Sequence, residues 1–144
     1  DWAFFHSNPN SLNGLARITN EKGMGATGGI STMILRRLLQ NSTFKELFLE
    51  RYAYHLSNTF ATDRVLAKIE ELSSNIEDEI GRDRERWDSG TVDGWRNQLK
   101  RMTNFVEVRN GYMIYFAREY FGLSEQETIE RFGSAGTKPP AASN

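Results

Sequence analysis

An aspartate heading an aromatic run, Asp1-Trp2-Ala3-Phe4-Phe5, is the first place in this chain with residues suited to chemistry. A carboxylate at the end of a strand is an oxygen donor for a divalent cation, which makes Asp1 the candidate metal ligand. A lone terminal aspartate is otherwise a solvated charge. The second candidate is Gly23-x-Gly-x-x-Gly28, which has the spelling of a phosphate-binding loop and precedes an expected helix. No buried strand leads into it, and no acidic residue stands where a ribose would need one. A flexible connection is the plainer reading.

The only histidines, His6 and His55, share no metal-ligand spacing. His55 falls beside Tyr52 and Leu56 on an expected helix, the position of a packing or interface residue. The run Glu77-Asp78-Glu79 to Arg82-Asp83-Arg84-Glu85-Arg86 allows intrahelical pairs such as Asp78 with Arg82. Its mixed signs describe a solvated helix face and not a docking patch for an acidic substrate. Trp87 and Trp95 flank the turn Asp88-Ser89-Gly90, and the pattern predicts that they pack together as a core corner. Arg51 and Arg109 interrupt apolar stripes, so each is expected to pair with a carboxylate or cap a helix end.

Composition narrows the function classes. Eighteen basic and nineteen acidic side chains nearly cancel, so no overall field draws nucleic acid or anionic lipid. The apolar stretches are too short to span a membrane. With no cysteine, disulfides, thiol catalysis and thiolate metal sites are excluded. At 144 residues and 38% hydrophobic, the chain can build one core without staples.

The elements that must position these residues read as all-α, with four to five helices over residues 31–122 and an irregular segment over 1–30. Leu15-Ala16-Arg17-Ile18-Thr19 has the pattern of a short extended piece. A first helix is expected over Ser31–Gln40, burying Ile34, Leu35, Leu38 and Leu39. Thr43 and Glu46 propose a capping box for the next, with Phe44, Leu47, Phe48, Tyr52 and Leu56 at helical spacing. Thr62 should cap one long helix striped by Val65, Leu66, Ile69, Leu72, Ile76 and Ile80. Thr91 should start another, carrying Trp95, Leu99, Met102, Phe105 and Val106, with a break at Asn110-Gly111. Tyr112, Tyr115, Phe116 and Tyr120 follow, then a short helix opened by Ser124 and Glu127. The stripes should converge on one core. Residues 134–144, with Pro139-Pro140, read as a linker or tail.

In order and spacing these elements resemble the C-terminal portion of the CotH kinase family, the relatives of spore coat protein H. Asp1-Trp2 fits the end of that family's Asp-x-Asp-Trp element. Leu38-Leu39 and Phe44 fit the next helices, and Phe48-Leu49-Glu50-Arg51-Tyr52 fits its Phe-x-x-Arg-Tyr signature. Glu79 and Arg86-Trp87 fit the end of its long helix; Trp95, Phe105 and Arg109 fit the last one. The resemblance covers residues 1–122, within a helical portion placed at 1–133.

It implies an atypical protein kinase that passes the γ-phosphoryl of ATP to protein hydroxyls with Mg or Mn. Most groups needed for that transfer lie ahead of the Asp-x-Asp-Trp element in the family. The chain therefore reads as part of a larger catalytic domain, inactive and without cofactor on its own, with Asp1 the one metal candidate. The implied setting is a secreted, cell-surface or spore-coat protein of a bacterium. Its partner is a protein substrate or a neighbouring module, with self-association possible through the aromatic segment. A non-catalytic helical interaction module is the alternative.

Overall fold

The computed structural model describes residue 10, residues 12–23 and residues 28–139. In chain order the elements are α1 (Gly14–Ile18), α2 (Ile30–Leu38), α3 (Ser42–Tyr54), a π-helical turn (His55–Thr59), α4 (Thr62–Ser74), α5 (Glu77–Trp87), α6 (Val92–Phe121) and α7 (Glu125–Phe132). No strand occurs among the described residues, so the fold is all-α as expected. Five of these helices, α2 to α6, fall in the stretch expected to hold four or five. The count agrees through two compensating differences: one expected helix is split and two are fused.

The split falls at Asn75-Ile76. Ser73 turns its hydroxyl to the Glu70 carbonyl at 3.1 Å, and Ser74 bonds the Glu70 carboxylate at 3.4 Å. Such side chains compete with the backbone ladder and weaken a helix. The Ile76 amide then closes a turn on Ser73, and the stripe is lost: Leu72 and Ile76 are exposed. Glu77, Asp78 and Glu79 open α5 where its dipole favours negative charge.

Thr91 caps α6 as its position indicated, accepting the Gly94 amide at 3.0 Å. The expected break at Asn110-Gly111 is absent, and α6 runs through it for 30 residues in all. Both residues are used for tertiary contact instead. Asn110 reaches back to the π-helical turn, and Gly111 is where the chain after α7 crosses α6. The Thr137 amide donates to the Gly111 carbonyl at 2.8 Å, and a Cβ on Gly111 would collide with the Thr137 side chain. A glycine inside a helix costs about 1 kcal/mol relative to alanine; Tyr112, Ile114, Phe116 and Ala117, all buried just beyond it, offset that.

Gly136 completes the crossing at φ +81°, where a Cβ would strike the Tyr115 backbone. Gly136→Ala should therefore lift the tail off α6. Hydrogen-exchange protection of the Thr137 amide should fall roughly tenfold, equivalent to about 1.4 kcal/mol. Protection equal to the parent's would show that this crossing is not what holds the tail.

Other starts differ from expectation for local reasons. Asn41, not the Thr43–Glu46 pair, caps α3, its side chain accepting the Phe44 amide at 3.0 Å. Glu46 is thereby free to bridge to Arg131 of α7 at 2.8 Å. Thr62 is the first residue of α4 and not its cap. Leu15–Thr19 lies in and just after a helix, not an extended piece, because Asn13 caps α1 and Leu15 turns inward. Ser124 and Glu127 do form the expected capping box at α7.

The core is a cluster of Leu49, Ala53, Leu56, Ile114, Ala117 and Phe132, with Tyr52, Met113, Phe121 and Leu123 against it. It lies between α3, the π-helical turn, the C-terminal half of α6, and α7. The expected stripes do not all converge there: that of α3 reaches it through Tyr52 and Leu56, while those of α4 (Val65, Ile69, Leu72, Ile76) and of the first half of α6 (Leu99, Met102, Phe105) do not. In α2 the inward face holds Thr32, Leu35, Arg36 and Leu39. Ile34, expected inside, is 71% exposed, and Leu38 is exposed as well. Thr32 is buried instead because its hydroxyl donates to the Asn20 carbonyl at 2.7 Å, tying α2 to the segment after α1.

Candidate functional site

An apolar concavity lies beside the core, where α6 passes the π-helical turn. Phe105, Val106, Arg109, Asn110 and Met113 share one face of α6 by helical spacing. Leu56 and Phe60 face them from the turn and Val65 from α4, enclosing a groove of about 280 Å³. The π-helical turn leads from the end of α3 toward α4. Its wide closure runs from the Phe60 amide to the His55 carbonyl at 2.7 Å. Turns of this kind leave carbonyls without helical partners. Asn110 supplies them, its side-chain amide donating to Phe60 O at 2.8 Å and Leu56 O at 3.3 Å.

Arg109 lines this groove. Its guanidinium donates to the Asn10 carbonyl at 2.8 Å and lies 5.7 Å from the Phe105 ring centre. Burial holds the Arg109 pKa below the usual arginine range, with the nearby Tyr52 acting in the opposite direction. The expectation for Arg109 was a carboxylate or a helix cap; the contact described here is a backbone carbonyl 99 residues away. Arg51, by contrast, points into solvent.

Tyr52 is stacked on Phe48 at 5.8 Å and meets Phe132 edge-on at 6.2 Å, its hydroxyl donating to Met113 O at 3.4 Å. Burial pushes the Tyr52 hydroxyl up to about 12, and the Arg109 charge partly counters this. Since the folded value lies above the unfolded one, the stability it contributes is complete below pH 10 and is lost as pH rises through 12. The loss should approach about 3 kcal/mol. Urea unfolding between pH 8 and pH 12 should show it, and Tyr52→Phe should flatten that part of the profile. An equally steep decline in the variant would assign it to other groups.

A second, polar pocket of about 400 Å³ lies between α2, α3 and the end of α6, lined by Thr19, Glu21, Arg36, Gln40, Lys45 and Tyr120 among others. It borders the glycine loop. Gly23 and Gly28 both have positive φ, and Arg36 bonds the Gly29 carbonyl at 3.4 Å. Gly25 lies outside the described residues.

Asp1, His6, Trp2, Phe4 and Phe5 also lie outside the described residues. Among those described, no group of three or more His, Cys, Asp or Glu side chains comes together to hold a metal. His55 is exposed, its Nδ1 3.0 Å from Thr59 Oγ1 and its ring edge-on to Tyr54, a packing role. Trp87 does not form a corner with Trp95: it is 66% exposed, with Arg86 5.1 Å over its ring. Arg82 pairs with Glu79 and not with Asp78, on a solvated face as expected. Asn110 is the residue the sequence reading missed. Its signal was a polar amide in an apolar stripe, read as a break.

No helix among the described residues is long and apolar enough to cross a membrane. Comparison with curated proteins gave no match, and comparison with solved structures gave none. A family model described as CotH kinase protein matches residues 2–113. The matched stretch includes every residue lining the Arg109 groove. It covers well over half of the chain, and the protein belongs to the CotH kinase family.

Proposed function

We propose that this chain is the C-terminal helical part of a CotH-type protein kinase that transfers the γ-phosphoryl of ATP to protein hydroxyls. In this reading Asp1 is one ligand of the Mg or Mn ion that ATP requires. Acceptors are spore-coat, secreted or surface proteins of a bacterium. The helices do not carry the chemistry; they hold the segment that begins with Asp1. The observation that supports this most is the family match over residues 2–113. The Arg109 bond to Asn10 gives it a physical form, because it fixes the chain nine residues beyond Asp1 to the longest helix.

A lysine for the phosphates and a second metal carboxylate are needed besides Asp1. The test is transfer of label from ATP with Mg²⁺ or Mn²⁺. A chain carrying those groups ahead of Trp2 should incorporate phosphate, and residues 1–144 alone should not. No incorporation by the longer chain, with any acceptor hydroxyl offered, would favour the second reading, a helical interaction module. One observation supports that reading: α2 leaves Ile30, Met33, Ile34 and Leu38 exposed along one side.

A further inference from the structure

The polar pocket between α2, α3 and the end of α6 brings together two cations from different helices, Arg36 and Lys45, with Gln40 and Tyr120 beside them. The Arg36 side chain is only 25% exposed and is already held in place. Its guanidinium donates to Thr32 Oγ1 at 3.3 Å and to the Gly29 carbonyl at 3.4 Å. The Glu21 carboxylate lies 3.9 Å from it and is 89% exposed, so most of that charge faces water. Lys45 is half-buried, and among the described residues its ammonium has no carboxylate or hydrogen-bond partner. We infer that this pocket binds a phosphate monoester dianion, gripped between Lys45 and Arg36.

Charge, donors and room support this ligand. A cation partly withdrawn from water and lacking a partner has lost hydration that an anion restores. A carboxylate offers two oxygens, whereas a phosphate monoester offers three and carries nearly two charges. The pocket supplies donors to match: the Lys45 ammonium, the Arg36 guanidinium, the Tyr120 hydroxyl and the Gln40 amide. Gln40 Oε1 already accepts from Arg37 at 3.4 Å, which leaves its amide nitrogen for a ligand. Two cations against one exposed carboxylate make the site positive, although the chain as a whole carries −1. A volume of about 400 Å³ admits the phosphate and part of what carries it. Such a group arrives on a phosphorylated side chain or on a small phosphate ester, with the same chemistry in both cases. Binding here needs neither ATP nor transfer, so it stands or falls independently of the kinase reading.

The test titrates the 144-residue chain, labelled with nitrogen-15, and reads backbone amide shifts by NMR at constant ionic strength. The probes are inorganic phosphate, a phosphoserine peptide, the same peptide unphosphorylated, and acetate. Inorganic phosphate should move the Gln40, Lys45 and Tyr120 amides together and saturate with a Kd on the order of 1 mM or tighter. Lys45→Met should weaken binding about tenfold or more, as expected for a lost charge-assisted hydrogen bond. Glu21→Gln should tighten it about threefold, because a nearby like charge is removed. Glu21 is on the exposed rim, so that variant tests the site even if Lys45→Met does not fold. Lys68→Met makes the same charge change on α4 and should leave the Kd unaltered. Tighter binding of the phosphopeptide than of inorganic phosphate would assign the site to a phosphorylated side chain; equal or weaker binding would assign it to a small ester. Acetate or the unphosphorylated peptide binding as well as phosphate, shifts confined to other faces, or a Kd indifferent to Lys45→Met or Glu21→Gln would each overturn the proposal.

Discussion

Replacing Asp1 by alanine, in a chain carrying the full set of kinase groups, should lower phosphoryl transfer roughly 10²–10³-fold or more. The transferred phosphoryl spreads its charge over three oxygens, and the protein contributes mainly positioning and electrostatic stabilisation. A carboxylate that holds the metal acts through both, and groups working as a unit do not lose their effects one at a time. The loss should appear in kcat as well as in the metal dependence. Trp87→Phe, at an exposed ring on the outside of α5, should leave transfer unchanged. Residues 1–144 alone should give no incorporation, since one carboxylate leaves a divalent ion mostly hydrated. Strong incorporation by residues 1–144, lost on Asp1→Ala, would relocate the active site into this stretch. The pocket of Arg36 and Lys45 beside the glycine loop would then be the place to look.

What the sequence made legible were features that depend on neighbours close in the chain. Thr91 and Ser124 are caps because an oxygen on a short side chain reaches an amide two or three residues on, and no distant contact intervenes. The all-α class follows from repeated three-to-four spacing, which survives errors at any one boundary. The order of elements also sufficed to place the family, since that is a pattern spread over 112 positions.

The parts that misled are those where tertiary contact overrides local preference. Asn110-Gly111 has the composition of a turn, yet both residues sit in mid-helix because a distant partner needs a small residue and an amide there. The stripe through Leu72 and Ile76 is periodic, but no element packs over that part of α4 tightly enough to bury it. Periodicity says which residues share a face; it does not say whether that face meets anything. The Arg109 clamp was illegible for the same reason, as one of its partners is a backbone carbonyl far away in the chain. An arginine in an apolar stripe signals that some partner exists and leaves its identity open.

Leu49→Ala tests the core where the structure and the sequence reading disagree most. Leu49 is 1% exposed and sits in the cluster with Ala117 and Phe132. Truncating it removes buried methyl groups and leaves a cavity that surrounding helices fill only in part, which should cost roughly 2–5 kcal/mol. A chain of this length has a total stability on the order of 7–20 kcal/mol, so the variant should unfold at distinctly lower urea concentration. Leu72→Ala is the informative partner, because the periodic stripe places Leu72 in the core while the structure leaves it 56% exposed. Its cost should stay within about 0.5 kcal/mol. Circular dichroism followed through urea unfolding measures both on the same scale. Equal losses at the two positions would mean that α4 packs as the stripe suggests, and the core would then extend along that helix instead of ending at the π-helical turn.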